Sequence, residues 1–346
     1  MSRILVTGGS GFLGGVVVDT LLARGHSVVT TVRSEEKAEA MRATRPDIAQ
    51  DRLSFMIVKD IAKLDAFDAA VVSDPPFDVV VHTASPFHYA ITDLQRDMLD
   101  PAVNGTVGIL QSIVKHAPTV RRVVITSSFA AMYNDAKPAG SKYSEEDWNP
   151  VTPETALDAE NSQAGYRSSK ALAEKAAWKF VEKHKPSFTL SMINPSLIFG
   201  PVSASLRSLD EINTSNARIR DFILGKSKDK CPPTGSQFWV DVRDVALAHA
   251  LAAEKPEAGG KRFFLTADNL CNADVVAVIA EEFPDLAAGL PSGDALAAGQ
   301  FPPGGPKYGF DTSRSVRELG LQYRTLRESI SDTVMSIQAA QNRLSQ

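Results

Sequence analysis

The sequence predicts a doubly wound parallel α/β sheet joined to a smaller, mostly C-terminal α/β domain, and three observations carry that prediction. Short Val- and Ile-rich runs alternate with helical patterns through the first half of the chain. A glycine-rich turn joins the first run to the first helix within fifteen residues of the start. Past Gly200-Pro201 the alternation weakens, as expected where a second unit begins.

The elements follow in order. Residues 3–7, 27–32, 53–58, 79–82 and 122–126 read as strands. They are apolar at consecutive positions, the mark of strands covered on both faces. Residues 12–24 repeat apolar side chains at helical spacing and stop at Gly25, a C-terminal cap. A polar insert, 134–163, carries Pro138, Pro150 and Pro153 and reads as a surface excursion with scraps of helix. A strong helix over 164–184 ends before Pro186, and a strand over 188–194 breaks at Pro195. Beyond it come an amphipathic stretch (Leu209, Ile212, Ile219, Phe222, Ile223), a strand at 238–240 and a helix at 244–253. A Pro/Gly-rich segment, 301–309, precedes a last helix at 326–342. Residues 1–195 with 236–268 are expected to form a Rossmann domain that binds the nucleotide. Residues 196–235 with 269–346 are expected to form the substrate domain.

Composition narrows the function. The 346 residues suit two domains, and 43% hydrophobic with 23% charged residues is ordinary for a globular chain. With 37 basic against 41 acidic residues, net charge −4 and no basic tract, nucleic acid is not the expected partner. Cys231 and Cys271 stand forty positions apart without metal-ligand spacing, and the six histidines are scattered, so no metal is expected. The first strand starts almost at Met1, no apolar run approaches the roughly 20 residues of a membrane span, and the last four residues match no anchor signal. The expectation is a cytoplasmic protein, monomeric or homodimeric.

Gly8, Gly11 and Gly14 recur three apart in Thr7-Gly8-Gly9-Ser10-Gly11-Phe12-Leu13-Gly14. Gly8 suits a tight strand-to-helix turn, Gly11 lets a pyrophosphate approach the main chain, and Gly14 lets helix lie close on strand. The helix N-terminus then offers free N–H groups and partial positive charge to phosphates. At the end of the second strand, where NAD-binding folds commonly place Asp or Glu, stands Arg33, with Lys37 four residues on. A guanidinium and an ammonium on one side of a helix start would grip a 2′-phosphate, which predicts NADPH.

A second constellation opens the strong helix. Tyr166 and Lys170, four apart, project from one face. An ammonium beside a phenol favours the phenolate and brings an otherwise weak acid toward working range. Upstream, the fifth strand runs into Thr126-Ser127-Ser128 at the carboxyl edge of the sheet, where ligands bind in such folds. A hydroxyl from either serine would hold a carbonyl oxygen there.

With these residues the chain resembles the extended short-chain dehydrogenase/reductase family. Within it, the chain is similar to the dihydroflavonol-reductase-like branch, especially its fungal NADPH-dependent methylglyoxal/3-methylbutanal reductases. The narrower likeness rests on His82-Thr83-Ala84-Ser85-Pro86-Phe87, Pro101-Ala102-Val103-Asn104-Gly105, Glu174-Lys175-Ala176-Ala177-Trp178, Asn194-Pro195 and Val240-Asp241-Val242-Arg243-Asp244-Val245-Ala246. It spans nearly the whole chain, weakest at 134–163 and 285–310, and only partial over the polar loop 205–216. The resemblance implies that Tyr166 donates the proton, that Lys170 binds the nicotinamide ribose, and that Ser128, rather than Ser127, orients the carbonyl. It implies a cofactor site of Thr7, Gly8, Gly11, Phe12, Leu13 and Gly14, with Asp60 and Ile61 at the adenine. Thr83, Ala84 and Ser85 join that site, and Pro195 and Leu197 border the nicotinamide, which would deliver its pro-S hydride. Asn104, where related enzymes sometimes place a water-relay residue, is read as a helix-packing amide.

Phe87, Tyr133 and Gln163 are the matching positions that would wall the carbonyl pocket beside Ser128 and Tyr166, with Trp239 near its mouth; for each aromatic, simple core packing is the alternative. Aromatic walls admit small apolar aldehydes and ketones, and no clustered Arg/Lys offers to hold a phosphorylated or CoA substrate. The expected activity is NADPH-dependent reduction of small aliphatic aldehydes, 2-oxoaldehydes, diketones and ketoesters to alcohols. Two other readings use the same scaffold. A nucleotide-sugar epimerase or dehydratase would want tightly held NAD and an acidic residue where Arg33 stands. An NADP-sensing regulator would have no need of Tyr166 and Lys170 together.

Overall fold

In the computed structural model, which describes residues 1–85, 92–159 and 161–345, strands and helices alternate as the sequence predicts. The first half comprises β1 (Arg3–Thr7), α1 (Phe12–Ala23), β2 (Ser27–Val32), α2 (Glu35–Ala43), β3 (Leu53–Ile57), β4 (Val79–His82), α3 (Asp100–His116) and β5 (Arg122–Thr126). After it come β6 (Lys142–Tyr143), α4 (Pro153–Ala156), α5 (Ser162–His184), β7 (Thr189–Pro195), β8 (Leu197–Phe199), α6 (Thr214–Ile223) and β9 (Phe238–Asp241). The chain closes with α7 (Val242–Glu254), β10 (Lys261–Leu265), β11 (Asp268–Asn269), α8 (Asn272–Glu282), β12 (Gly309–Phe310) and α9 (Leu326–Leu344).

Seven strands form one parallel sheet in the order β3-β2-β1-β4-β5-β7-β10. Chain direction across the sheet reverses between β1 and β4, and in such sheets that crevice at the carboxyl edge receives the ligand. Both faces are covered. Helices α1 and α7 pack together on one face, over a core of Ile4, Val6, Val17, Leu21, Val81 and Val245. Helices α3 and α5 pack on the other, over Leu5, Val80, Ile109, Val123, Ala177 and Met192. Inward side chains thus alternate along each strand, which is why the strands read as unbroken apolar runs.

Elsewhere the chain builds a second core. β8 and β9 run parallel, β11 pairs antiparallel with β9, and α6, α8 and α9 bury Ile219, Phe222, Val275, Ile279, Ile330 and Val334 against them. The insert at 134–163 is less superficial than its prolines and charges predict. Tyr143 is fully buried, β6 pairs in parallel with β12 from the Pro/Gly-rich tail, and the Tyr143 phenol donates to Asn134 O at 3.0 Å. An aromatic cluster of Phe129, Tyr143, Phe238, Phe264 and Tyr308 pulls the insert down, a long-range partnership that local composition does not disclose. Among the described residues, no helix is long and apolar enough to cross a membrane.

Candidate active site

The glycine turn leaves β1 at the switch point. Gly8 has φ +79, which an L side chain rarely adopts, and a Cβ there would come within 2.9 Å of the Ala84 main chain. A Cβ at Gly14 would collide with the Gly8 carbonyl oxygen. At Gly11 it would meet, among the described residues, that same oxygen alone, at 3.3 Å, which leaves the rest of that face open to them. Gly11 also begins α1 without a capping side chain, and no acidic residue sits in the first turn. Uncapped N–H groups facing open space fit a dinucleotide pyrophosphate.

Hydroxyls hold the turn against β4. Thr7 Oγ1 accepts from Ala84 N at 3.2 Å and lies 2.8 Å from His82 Nδ1, while Thr83 Oγ1 donates to Thr7 O at 2.7 Å. Burial, with the Lys170 ammonium nearby, pushes His82 down to about 3, so the ring is neutral. His82 opens the string 82–87, in which the resemblance attaches no role to this side chain. Its place beneath the turn depends on strand register, which the string does not reveal.

At the end of β2, Arg33 is exposed and has no hydrogen bond or ion pair among the described residues. Ser34 caps α2, its side chain accepting from Lys37 N at 3.4 Å, so Lys37 stands in the first helical turn as the sequence anticipated. Lys37 Nζ already faces a carboxylate, Glu211 Oε1, at 3.6 Å. A cleft of about 310 Å³ runs between Ser10, Gly11, Phe12 and Lys37 on one side and Ser203, Leu206 and Glu211 on the other. Past β3, the exposed Asp60 caps a turn by accepting from Ala62 N at 3.0 Å, and Ile61 packs partly into the core under α3.

Tyr166 and Lys170 stand half-buried one turn apart on α5, whose start Asn161 caps by accepting from Gln163 N and Ala164 N. Lys170 Nζ lies 5.9 Å from the Tyr166 ring centre and donates to Ser85 Oγ at 2.9 Å. This bond ties α5 to the segment after β4. Desolvation pulls the Lys170 ammonium from 10.5 down to about 8, opposed by the Glu174 carboxylate.

The two serines after β5 divide. Ser127 is buried and donates to Glu174 Oε2 at 2.5 Å. Ser128 is half-buried and accepts from Ala130 N at 3.1 Å, which leaves its own proton available for a carbonyl oxygen. The short turn it begins, Phe129–Ala131, packs on α5. A void of about 20 Å³ bordered by Ser85, Thr126, Ser127, Lys170 and Glu174 has room for a single water.

Other expected site residues lie as follows. Pro195 is buried at the last position of β7, opposite Leu265, and Leu197 is half-buried against the second core. Tyr133 is half-buried beneath the Arg167 guanidinium, 3.9 Å from its ring centre; burial first, then Asp135, pushes its phenol up to about 12. Gln163 is exposed on the first turn of α5, one turn before Tyr166, and Phe87 lies outside the described residues. Trp239 takes the core-packing alternative: it is 1% exposed in β9 and packs near Phe199 in the second core.

The profile described as the NAD dependent epimerase/dehydratase family matches residues 4–265. Ketoreductase azaE of Aspergillus niger is 43% identical over 336 residues, covering 97% of each chain. NADPH-dependent methylglyoxal reductase GRE2 of Saccharomyces cerevisiae is 37% identical over 348 residues, covering 99% of each. The crystal structure of yeast methylglyoxal/isovaleraldehyde reductase Gre2 complexed with NADPH aligns with a TM-score of 0.88 at 36% identity, over 99% of both chains.

Proposed function

Because the chain belongs to the NAD dependent epimerase/dehydratase family, we propose that it is an NADPH-dependent carbonyl reductase acting on small aldehydes and ketones. The observation that supports this most is the Tyr166–Lys170 pair, tied through Ser85 to the strand end beside the glycine turn. A binding module would have no use for a phenol and an ammonium at that edge.

In this reading the turn from Thr7 to Gly14 holds the pyrophosphate, and Arg33 with Lys37 holds the 2′-phosphate. Asp60 and Ile61 border the adenine; Thr83, Ala84, Pro195 and Leu197 line the path to the nicotinamide end. NADPH, when bound, supplies the hydride. Ser128 Oγ donates a hydrogen bond to the substrate carbonyl oxygen and fixes its direction. The Tyr166 phenol gives that oxygen its proton. Lys170, charged at neutral pH, favours the phenolate that Tyr166 leaves behind and binds the ribose. Residues 1–195 with 236–268 bind the nucleotide, and 196–235 with 269–346 shape the carbonyl end. A cytoplasmic location is part of the reading, and the two unpaired, buried cysteines suit its reducing conditions.

The names of the relatives support aldehydes, 2-oxoaldehydes and ketones as the substrate class. The test is a panel of 3-methylbutanal, methylglyoxal, diketones and ketoesters, following loss of NADPH absorbance and the chirality of the alcohol. NADPH consumption with several members is expected. Tightly bound NAD carried through purification, with no net NADPH consumption, would favour an epimerase instead. Stoichiometric NADPH binding without turnover would favour a sensor.

A further inference from the structure

We propose that Glu174 is a positioning residue: one buried carboxylate that fixes the strand ends carrying Ser128 and Pro195 against the helix carrying Tyr166 and Lys170. The catalytic part of this inference rests on the proposed reductase function; the positioning part stands on geometry alone.

Glu174 lies one turn after Lys170 on α5 and is 2% exposed. Its Oε2 accepts from Ser127 Oγ at 2.5 Å and from Asn194 Nδ2 at 2.7 Å. Its Oε1 accepts from Arg262 Nε at 2.6 Å and from Trp178 Nε1 at 3.3 Å. Four donors therefore converge on two oxygens, from β7, β10, α5 and the residue just past β5. Asn194 Nδ2 also donates to Ser128 O at 3.3 Å. Both partners of that nitrogen are pure acceptors, so the orientation of the amide is settled. The peptide carrying Ser128 is thus held twice, through the neighbouring hydroxyl and through its own carbonyl. Pro195 follows Asn194 directly.

Arg262, 7% exposed, supplies the countercharge from β10. Its guanidinium lies 3.7 Å from the Trp148 ring centre, and its Nη1 donates to Glu145 O at 2.6 Å and Asp147 O at 2.7 Å. Burying such a pair is poor value for stability, because well-packed apolar side chains serve that purpose as well or better. What an apolar pair could not supply is four directed hydrogen bonds at the edge of the site. The carboxylate also favours the charged form of Lys170, against the desolvation that opposes it. The groups facing Lys170 are Tyr166 and Glu174 from its own helix, neutral His82 from β4, Ser85, and Thr126 and Ser127 at the end of β5.

Glutamine has the same shape but only one acceptor oxygen, so in Glu174→Gln its amide group must face two of the four donors. Three quantities are to be measured: hydrogen exchange of the ligand-free protein at 126–131 and 193–198, the dissociation constant of NADPH, and the pH profile of kcat. Glu174→Gln is expected to speed exchange in those two segments while β1 and β4 stay protected. NADPH should bind within about threefold of wild type while kcat falls roughly 10- to 100-fold, the worth of a lost charge-assisted bond. The alkaline limb of kcat should move below about pH 8, since Lys170 loses the carboxylate that keeps it charged.

In Glu174→Gln with Arg262→Gln, the residue-174 oxygen can serve Ser127 and Asn194 again while its amide faces the new glutamine. Protection should then return, with the limb still displaced. This double variant carries the test if the uncompensated Arg262 charge prevents the single variant from folding. Wild-type exchange at both segments in Glu174→Gln would overturn the proposal. So would a loss of protection spread over the whole sheet, with kcat and its limb unmoved in the folded fraction. A wild-type protein that reduces no carbonyl, paired with a variant that still loosens both segments, would sink the reductase reading and support the positioning role.

Discussion

Lys37 and Glu211, 174 positions apart in sequence, face each other at 3.6 Å across the cleft beside the glycine turn. A second ion pair, Arg207 Nη1 to Glu36 Oε1 at 2.5 Å, joins the same loop to the same helix. The Arg207 backbone N–H, ahead of Lys37, holds the Glu211 carboxyl below its usual range, so it stays ionised. A cofactor 2′-phosphate would therefore compete with Glu211 for the Lys37 ammonium. Glu211→Gln is expected to tighten NADPH roughly two- to fivefold, the scale of an exposed ion pair, and to leave NADH unchanged. Titration by NAD(P)H fluorescence at low salt reads this directly, and high salt should shrink the difference. An equal change for both cofactors would assign the effect to loop packing.

Arg33 has no partner to lose among the described residues, so its substitution reports on the cofactor alone. Arg33→Ala is expected to raise the NADPH Michaelis constant roughly ten- to hundredfold, as one charge-assisted bond of about 1.5–3 kcal/mol is lost. NADH kinetics should be spared. An unchanged NADPH/NADH ratio would remove Arg33 from the phosphate site.

Tyr166→Phe keeps the ring and removes the proton it would donate. Turnover is expected to fall by roughly 10²–10⁴-fold, with the NADPH dissociation constant within a few-fold of wild type. Near-normal turnover would exclude the phenol from the reaction.

Burial sets the alkaline limit. With Lys170 pulled down to about 8, its ammonium is present below that pH and lost above it, and the phenol then loses its cationic neighbour. The kcat profile between pH 6 and pH 10 should fall on the alkaline side with a midpoint near 8. A flat profile to pH 10 would show that the charge on Lys170 does not matter to the rate-limiting step.

What the sequence disclosed and what it hid divide along contact range. The glycine turn and the Tyr166–Lys170 pair are local arrangements, complete within a turn or two of chain, so spacing suffices to see them. The different surroundings of Ser127 and Ser128 are not local: Glu174, 47 residues away, engages the first serine, while the second accepts from Ala130 N. The rest of that network, Asn194 and Arg262, reaches the carboxylate from strands 20 and 88 residues downstream. Trp239 stays open between pocket and core in the sequence for a related reason: an aromatic in a short strand looks the same from either face, and its place in the core with α6, α8 and α9 is set by distant partners. The same holds for Tyr143, drawn from a polar insert into an aromatic core by partners from four other segments.

Two buried histidines are expected to make stability fall on mild acidification. His249 Nδ1 lies 2.7 Å from Val245 O, a pure acceptor, so that nitrogen carries the proton and Nε2 accepts from Thr126 Oγ1 at 2.7 Å. Burial lowers His249 to about 4 and His82 to about 3, both from 6.5. Between 6.5 and those values the unfolded chain binds a proton at each site and the native chain does not, so stability rises with pH and is lost as pH falls. From pH 6.5 to pH 5 each ring should contribute a loss of about 2 kcal/mol. Glu145 and Asp244, whose carboxyls burial pushes up, run the opposite way, so the sum is less informative than a difference. His249→Gln retains a donor for Val245 O and an acceptor for Thr126 while removing the titration. Urea unfolding at pH 7, 6 and 5 should show wild type losing about 2 kcal/mol more than this variant over that span. Parallel pH dependences would mean that the His249 ring takes up its proton in the folded protein as readily as in the unfolded chain, and that the Thr126–Val245 bracket does not hold it neutral.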